Sequence, residues 1–400
     1  MKITDLEVKV VAMGAKNCIF TRLSTDDGLC GCSETVMKRR SFSIARAIDE
    51  IKALLIGMDP TRIEDIYEQL YRDSFWVGGP VHATPISTIE IALWDLAGRS
   101  LGVPIYRLFG GPVRDEIPVY CHCAAGAAPE AFAANAGDCV KRGYRALKTT
   151  LPVFYGIEGT VATEHGDSPA QGYSGTRGSI ARSYKETELI DPGFYSYVAE
   201  YFDAARSAVG PEVQLLLDCH GRLSSASAVR LCLALEKYDL LFVEEPVPPE
   251  NPEALGDVSS RTSVPIASGE RWATIYGARP YIKNRSVSVV QPDVVNCGGF
   301  SQARKIAAMA EAEYISVAPH NPNGPLATAA NLQLCASIPN FLILETIGSE
   351  SERELWERCA SSLPRLTGGS LPVPTGPGLG IELDWEACDR YPGKLFHGFR

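Results

Sequence analysis

Acidic residues and histidines recur in this sequence directly after short apolar runs. The segment at residues 215–223 shows the pattern, because a run of leucines is followed by Asp218, Cys219 and His220. A buried strand gains nothing from a carboxylate and an imidazole at its tip unless they serve a site. Successive runs end in the same way, with Asp218 and His220, then Glu244, Glu270, Asp293, His320 and Glu345. One such ending could be a helix N-cap, but the series predicts a shared functional site.

Three of these carboxylates predict a metal site. Asp218, Glu244 and Glu270 are spaced 26 residues apart, one in each successive strand–helix unit. Carboxylates that converge repel one another unless a cation neutralises them. Ligand sets made of oxygen atoms favour Mg²⁺, which keeps positions open for water or substrate. We therefore expect Mg²⁺ as the cofactor, held by one oxygen of each side chain.

Two histidines are predicted to transfer protons. Asp218 and His220 are two residues apart, so on a strand both side chains point to the same side, and Cys219 points the other way, into the packing. Asp293 and His320 end neighbouring strands. A carboxylate bonded to one imidazole nitrogen fixes the tautomer and raises the basicity of the other nitrogen.

Glu345 is expected on the far side of the metal site. There it would hydrogen-bond a developing oxyanion if it is protonated, or bind a hydroxyl group. The remaining histidines lack such partners in the sequence, and they are His82, His122, His165 and His397. His82 and His165 fall in predicted loops that could reach a substrate.

The predicted fold explains how these side chains meet. Eight β-branched or apolar runs between residues 116 and 369 alternate with amphipathic helical patterns, which predicts a (β/α)8-type barrel with its functional groups at the carboxyl ends of the strands. Residues 1–115 predict an α+β domain, whose last helix should open at Thr84 and Pro85 and stop at Gly102. The tail at 370–400 should pack back on this domain. Residues 153–192 are rich in Gly and Ser, and their length predicts a lid or an interface loop.

Composition excludes several classes of function. The 400 residues are 45% hydrophobic and 22% charged, with a net charge of −10 and no Lys/Arg run, which argues against a nucleic-acid partner. No apolar stretch is long enough to span a membrane. Twelve cysteines are too few for a disulfide scaffold in a chain of this length. The pairs Cys30/Cys32 and Cys121/Cys123 are predicted to be buried thiols, and we expect a reducing cytoplasm.

Several motifs resemble the mandelate racemase branch of the enolase superfamily. They read DCHGR, VEEPVPPEN, SGER, QPDVVNCGG and PHNPNGPLATAA, and the resemblance extends from TDDGLCGCSE to GPGLGIELD. It implies a modified (β/α)8 barrel of the (β/α)7β form, with an N-terminal α+β capping domain completed by the C-terminal tail. Within this branch the chain is most similar to acid-sugar dehydratases.

One departure from the branch narrows the chemistry. Racemases of the group carry Lys-x-Lys on the second barrel strand, but here Lys148 is followed by Thr150, which cannot act as a base. The dehydratases resembled also lack that lysine and use the histidine beside the first metal ligand, which is His220 here. The expected substrate-binding residues are Lys148, Thr150 and Tyr155 in the barrel, with Asn17 and Trp76 in the capping domain.

The resemblance implies a hydro-lyase that converts a sugar acid to a 2-keto-3-deoxy acid through an enediolate. An aldonate such as galactonate, gluconate or mannonate is the expected substrate. His320, oriented by Asp293, would take the C2 proton, His220 would protonate the departing C3 hydroxyl, and Glu345 would support the enediolate oxygen. The alternatives are a racemase or epimerase, a cycloisomerase of an anhydro sugar acid, or a catalytically idle regulatory relative. A homo-oligomer between dimer and octamer is expected.

Overall fold

The computed structural model describes residues 1–126, 128–151, 154, 161–163, 166–168 and 192–395. Tyr155, His165 and His397 lie outside the described residues, as does most of the segment predicted to be a lid or interface loop. Two short strands of that segment are described, Val161–Thr163 and Gly166–Ser168, and they pair antiparallel.

The N-terminal part combines an antiparallel sheet with helices. Its strands, in spatial order, are β1 (Ile3–Met13), β2 (Lys16–Thr25) and β3 (Cys30–Thr35). Its helices are α1 (Ser41–Leu55), α2 (Ile63–Arg72), α3 (Pro80–Leu101) and the short α4 (Ile105–Leu108). Apolar side chains from the sheet, α1, α2 and α3 form one buried core. At Gly31 of β3 an added Cβ would lie 2.1 Å from the Ala92 carbonyl oxygen, so glycine allows the close approach of β3 and α3.

The predicted start of α3 is wrong by one turn and a half, while its predicted end is confirmed. The helix begins at Pro80, and Pro85 lies inside it. Pro80 takes the first helical position, where a missing N–H costs nothing. The helix ends at Gly102, whose left-handed backbone (φ 70°) caps it.

Eight of the nine strands in the larger sheet of the described chain are parallel, and all eight apolar runs predicted as strands are found among them. The eight parallel strands are β4 (Glu116–His122), β5 (Ala146–Thr149), β8 (Gln214–Asp218), β9 (Phe242–Glu244), β10 (Ile266–Ser268), β11 (Val289–Val290), β12 (Ser316–Val317) and β13 (Leu344–Thr346). The numbers between β5 and β8 belong to the separate hairpin, which consists of β6 (Val161–Thr163) and β7 (Gly166–Ser168). Their spatial order is β12-β11-β10-β9-β8-β5-β4-β13. A parallel bridge from Val317 to Phe341 brings the segment before β13 against β12, so the sheet curls round on itself.

Helices follow the strands, as a parallel sheet requires. They are α5 (Pro129–Lys141), α6 (Pro192–Val209), α7 (Ser225–Leu235), α8 (Pro252–Ser259), α9 (Thr274–Lys283), α10 (Gly299–Ala312), α11 (Pro325–Ser337) and α12 (Glu350–Trp356). Short 3₁₀ helices lie at Glu236–Tyr238 and Ala387–Arg390. The described helices include none that is both long and apolar enough to cross a membrane.

The C-terminal tail contacts both parts of the chain. Its strands are β14 (Ala360–Ser361), β15 (Ser370–Pro372) and β16 (Glu382–Leu383). β15 pairs antiparallel with β4 of the barrel. Further on, the backbone at Tyr391 and Gly393 hydrogen-bonds to Ala12 and Val10 of β1. The tail thus joins the first sheet, as the predicted capping arrangement requires, and the domain boundaries at 115 and 369 remain predictions.

Candidate active site

The inner face of the barrel carries an apolar layer with a polar layer above it. The apolar layer consists of Tyr120, Ala146, Leu216, Phe242, Ala267, Val289, Ala318 and Ile343. Side chains two residues apart on a strand share a face. Two residues after six of those positions stand His122, Lys148, Asp218, Glu244, His320 and Glu345. The strand period therefore delivers these side chains to the carboxyl end of the barrel.

A cavity of about 500 Å³ opens at this end. The barrel lines it with the functional side chains His122, Lys148, Asp218, His220, Glu270, Arg271, Asp293, His320 and Glu345. The N-terminal part closes it with Val36, Met37 and Lys38, which follow β3, and with Pro80 at the start of α3. The site is thus shared between the barrel and the capping part of the chain.

Lys148 lies at the centre of a buried carboxylate cluster. Its Nζ is 2.8 Å from Glu244 Oε2, 2.6 Å from Glu345 Oε1 and 3.7 Å from Asp218 Oδ2. Burial lowers the pKa of the Lys148 ammonium, but Glu244 and Glu345 outweigh that effect and raise it well above its usual value. Lys148 is therefore charged, and it offsets part of the negative charge around it.

His320 is held between two carboxylates. Its Nδ1 is 2.8 Å from Asp293 Oδ2, and its Nε2 is 2.7 Å from Glu270 Oε2. Asp293 is itself fixed by the backbone N–H of Val295 and the side-chain amide of Asn296. Burial lowers the pKa of His320, but Glu270 and Glu345 raise it well above its ordinary value. The predicted pair of Asp293 and His320 is therefore present. The second ring nitrogen of His320, Nε2, faces the cavity.

His220 lies next to Asp218, as predicted, but the backbone conformation that places it there is not the predicted one. β8 ends at Asp218, and His220 adopts a left-handed backbone conformation (φ 51°) in the following turn, so strand alternation does not position it. The turn is held because the His220 N–H donates to Asp218 Oδ1 at 2.8 Å, and it brings Nε2 within 3.0 Å of Asp218 Oδ2. Burial lowers the pKa of His220, and Asp218 more than reverses this. Cys219 is fully buried in the apolar core, as expected.

His122 is a site residue that the sequence prediction missed. Its Nε2 hydrogen-bonds to Glu345 Oε1, and the Asn321 N–H donates to Glu345 Oε2 at 2.9 Å. The rule that selected the other strand ends would have found His122, because it stands two residues after inward-facing Tyr120 and ends the first barrel strand. Burial raises the pKa of Glu345, but Lys148, His320 and His122 together hold it well below its usual range. Glu345 is therefore ionised.

Two cationic residues of the cavity were also missed. Lys38 follows β3 in the capping part, and burial lowers its pKa to about 8. Arg271 contacts Glu245 Oε2 at 2.8 Å and Glu270 Oε1 at 3.2 Å. The available signal for Arg271 was its position directly after Glu270, the predicted metal ligand.

Three of the predicted substrate-binding residues are not among the described residues that line the cavity. Trp76 is 83% exposed and is absent from the part of the cavity lining that the structure describes. The Asn17 amide is engaged with the backbone of Lys394 in the tail. Thr150 follows β5, and its hydroxyl has no hydrogen-bond partner among the described residues. The predicted roles of these three side chains stay predictions.

The donor chemistry of the predicted metal ligands suits Mg²⁺, which prefers carboxylate oxygens. Glu244 Oε1 is buried and has no hydrogen-bond partner among the described residues. Burial and the charge of Asp218 raise the pKa of Glu244 to about 7, against the lowering effect of Lys148. Within the described ranges no three His, Cys, Asp or Glu side chains already converge as a metal site. Glu270 points instead to His320, and Lys148 lies next to Glu244.

The structure has the architecture of an enolase-type enzyme. Its parallel sheet curls into a barrel with acids and histidines at the strand ends, and an antiparallel α+β domain covers the barrel mouth. Residues 2–110 match the mandelate racemase / muconate lactonizing enzyme N-terminal domain, and residues 131–387 match the enolase C-terminal domain-like family. The chain belongs to the mandelate racemase / muconate lactonizing enzyme family, which confirms the predicted resemblance and fold class.

Several relatives are named dehydratases. The chain is 35% identical to a D-galactonate dehydratase family member from Streptomyces bingchenggensis, over 98% of this chain and 93% of the relative. It is also 35% identical to the D-xylonate dehydratase of Haloferax volcanii, over 98% and 89% of the two chains. A crystal structure of an enolase from Pantoea ananatis with bound D-gluconate and Mg superposes with a TM-score of 0.86 at 30% identity, covering 98% of this chain and 96% of that one. Dehydratases are hydro-lyases, so the predicted enzyme class is confirmed at the level of the family.

Proposed function

We propose that this chain dehydrates an aldonate to a 2-keto-3-deoxy acid and uses Mg²⁺ as its cofactor. The observation that carries the proposal is the placement of two histidines in one cavity, each oriented by its own carboxylate. His320 is paired with Asp293 and His220 with Asp218. Loss of water needs one group that removes a proton and another that supplies a proton to the leaving hydroxyl.

Asp218, Glu244 and Glu270 would hold the metal. When bound, Mg²⁺ neutralises the substrate carboxylate and so lowers the energy of the enediolate. Calorimetric titration with Mg²⁺ tests the ligand set directly. Glu270→Gln should weaken Mg²⁺ binding by at least about tenfold, since one anionic ligand is lost. Glu313→Gln is the matched control, because Glu313 forms an ion pair on the surface with Arg285.

His320 is the proposed base. Donation from its Nδ1–H to Asp293 fixes the tautomer and leaves Nε2 facing the cavity. In the structure Glu270 Oε2 lies 2.7 Å from that nitrogen, which favours the protonated ring. With Glu270 engaged as a metal ligand, Nε2 is left to accept the proton from C2.

His220 is the proposed acid. Asp218 raises its pKa against the effect of burial, which keeps a proton available for the departing C3 hydroxyl. Hydroxide is a poor leaving group, so protonation in the transition state is worth about 10²–10⁴-fold in rate.

The charge on Glu345 favours one of its two predicted roles. An ionised carboxylate accepts hydrogen bonds, so Glu345 is suited to bind a substrate hydroxyl and not to donate to an oxyanion. Lys148 and His122 lie against Glu345 and face the same cavity. We assign Lys148 the role of donor to the developing oxyanion.

The substrate class rests on the relatives. Their names include dehydratases of D-galactonate, D-xylonate and D-mannonate, and the Pantoea structure holds D-gluconate. We therefore propose a five- or six-carbon aldonate. All twelve cysteines are free thiols, which supports a reducing compartment such as the cytoplasm, and we retain the homo-oligomer as a proposal.

A substrate panel tests the proposal. The full chain is incubated with galactonate, gluconate, mannonate and xylonate, with Mg²⁺ or after chelation, and 2-keto acid is detected as its semicarbazone. At least one aldonate should give a 2-keto-3-deoxy acid, and only with Mg²⁺. Inversion at C2 without keto acid would favour a racemase, isomerisation of an anhydro sugar acid would favour a cycloisomerase, and Mg²⁺ binding without turnover would favour an idle relative.

A further inference from the structure

Three cysteines and an arginine meet on the outer side of the first barrel strand. Cys121 and Cys123 lie on or next to β4 and flank His122, so they face away from the barrel interior. Cys139 lies in the last turn of α5. All three belong to the apolar core, and Cys139 is 3% exposed.

Arg142 distinguishes Cys139 from an ordinary core thiol. Its guanidinium donates to Cys139 Sγ at 3.0 Å and also to the Gly348 carbonyl oxygen. A guanidinium beside sulfur stabilises a thiolate. Interactions with the Cys121 and Cys123 thiols, together with Arg142, lower the pKa of Cys139 well below its ordinary value. The same interactions, with burial, raise the pKa of Cys121 and Cys123.

Cys139 also borders a cavity. The residue lines a space of about 420 Å³ together with Arg142, Asn135, His122 and Ser349. Arg142 is exposed at the surface. The cavity offers a molecule as small as hydrogen peroxide a route to Cys139 that does not require unfolding of the barrel.

We propose that Cys139 is a peroxide-reactive modification site, with Cys121 or Cys123 as its resolving cysteine. In the first step the Cys139 thiolate attacks one peroxide oxygen, an S–O bond forms, the O–O bond breaks, and the other oxygen leaves as water after taking up a proton. This step yields a sulfenic acid. In the second step the resolving sulfur attacks Cys139 Sγ, an S–S bond forms, the S–O bond breaks, and a second water leaves. In total two thiols and one peroxide give one disulfide and two waters.

The disulfide would join the end of β4 to α5 through Cys121 or Cys123, the two residues next to His122. Because His122 hydrogen-bonds to Glu345 in the active site, oxidation should also slow catalysis. This last consequence rests on the proposed function, whereas the disulfide itself does not.

The test is peroxide oxidation of the full-length protein, followed by alkylation of free thiols and peptide mass spectrometry. Cys139 should react before the other cysteines, and a peptide linking it to Cys121 or Cys123 should appear. Cys359 and Cys388 provide an internal comparison, because they are a second pair of neighbouring buried thiols.

Two variants sharpen the test. Arg142→Met keeps every thiol but should slow oxidation of Cys139 by about tenfold, since the thiolate is less stabilised. Cys232→Ser, which removes a buried thiol on α7, should leave that rate unchanged. Oxidation of Cys139 no faster than that of Cys359, or an unchanged rate in Arg142→Met, would overturn the proposal. Both readouts are independent of the dehydratase activity.

Discussion

Replacing Lys148 by Met tests how the buried carboxylates are held together. The ammonium lies within 2.8 Å of Glu244, 2.6 Å of Glu345 and 3.7 Å of Asp218, and it is only 3% exposed. Met keeps most of the side-chain volume but removes the charge, which leaves three acids in a cluster without their cation. Removal of one partner from a buried ion pair destabilises a protein by about 3–5 kcal/mol. We expect Lys148→Met to lower the free energy of unfolding by an amount in this range when no divalent cation is present.

The assay is urea unfolding followed by circular dichroism, with a chelator present, at neutral pH. Lys305→Met is the matched control, because Lys305 pairs with Glu64 at 2.9 Å but both side chains are about half exposed. An exposed ion pair contributes at most about 1 kcal/mol to the free energy of unfolding. A Lys148→Met variant whose unfolding free energy lies within about 1 kcal/mol of the control would refute the reasoning.

The effect should depend on pH and on Mg²⁺. Glu345 has a pKa held well below its usual range, so the stability from its pairing is present above its ordinary pKa and is lost as the pH falls through the lowered value. The difference between wild type and Lys148→Met should therefore shrink in acid. Added Mg²⁺ should restore part of the stability of the variant, since a ligand of the folded state stabilises it.

Two further predictions concern the packing around the site. Burial raises the pKa of Glu90 to about 7, so the stability of its neutral form is present below its ordinary pKa and lost as the pH rises through 7. Relative to Glu90→Gln, which does not titrate, wild type should lose up to about 3 kcal/mol between pH 4.5 and 7 in urea unfolding, and parallel pH profiles would contradict this. Gly31→Ala should lower the unfolding free energy by about 2 kcal/mol or more, because its Cβ would meet the Ala92 carbonyl. Gly137→Ala, in helix α5 with open space around it, should be neutral or stabilising by up to about 1 kcal/mol, and equal effects of the two changes would contradict the argument.

The strands were predictable because each is a short apolar run that ends at a polar residue. That regularity placed all eight barrel strands and gathered Asp218, Glu270, Asp293, His320 and Glu345 at one cavity. His122 obeys the same rule, but its partner Glu345 lies 223 residues away in the chain, so the local sequence shows no carboxylate beside it. The position of His220 was predicted for the wrong reason, because a left-handed turn and not strand alternation brings it to Asp218.

Contacts between distant parts of the chain were harder to predict. Lys38 reaches the cavity only because the capping part folds over the barrel, and no periodicity in the sequence reports that. Asn17 was expected at the substrate, but its amide meets Lys394, which is 377 residues away. The start of α3 was misplaced because Pro80 and Pro85 are both compatible with a helix start, and local sequence does not choose between them.

The most direct test of the central claim separates proton removal from loss of water. Wild type, His320→Asn and His220→Asn are incubated with a substrate aldonate and Mg²⁺ in deuterated buffer, and proton NMR follows the C2 hydrogen and the 2-keto-3-deoxy product. Wild type should form product. His320→Asn should neither exchange the C2 proton nor form product, whereas His220→Asn should form no product but retain C2 exchange. Inversion of C2 by wild type without keto acid, or continued C2 exchange in His320→Asn, would contradict the account.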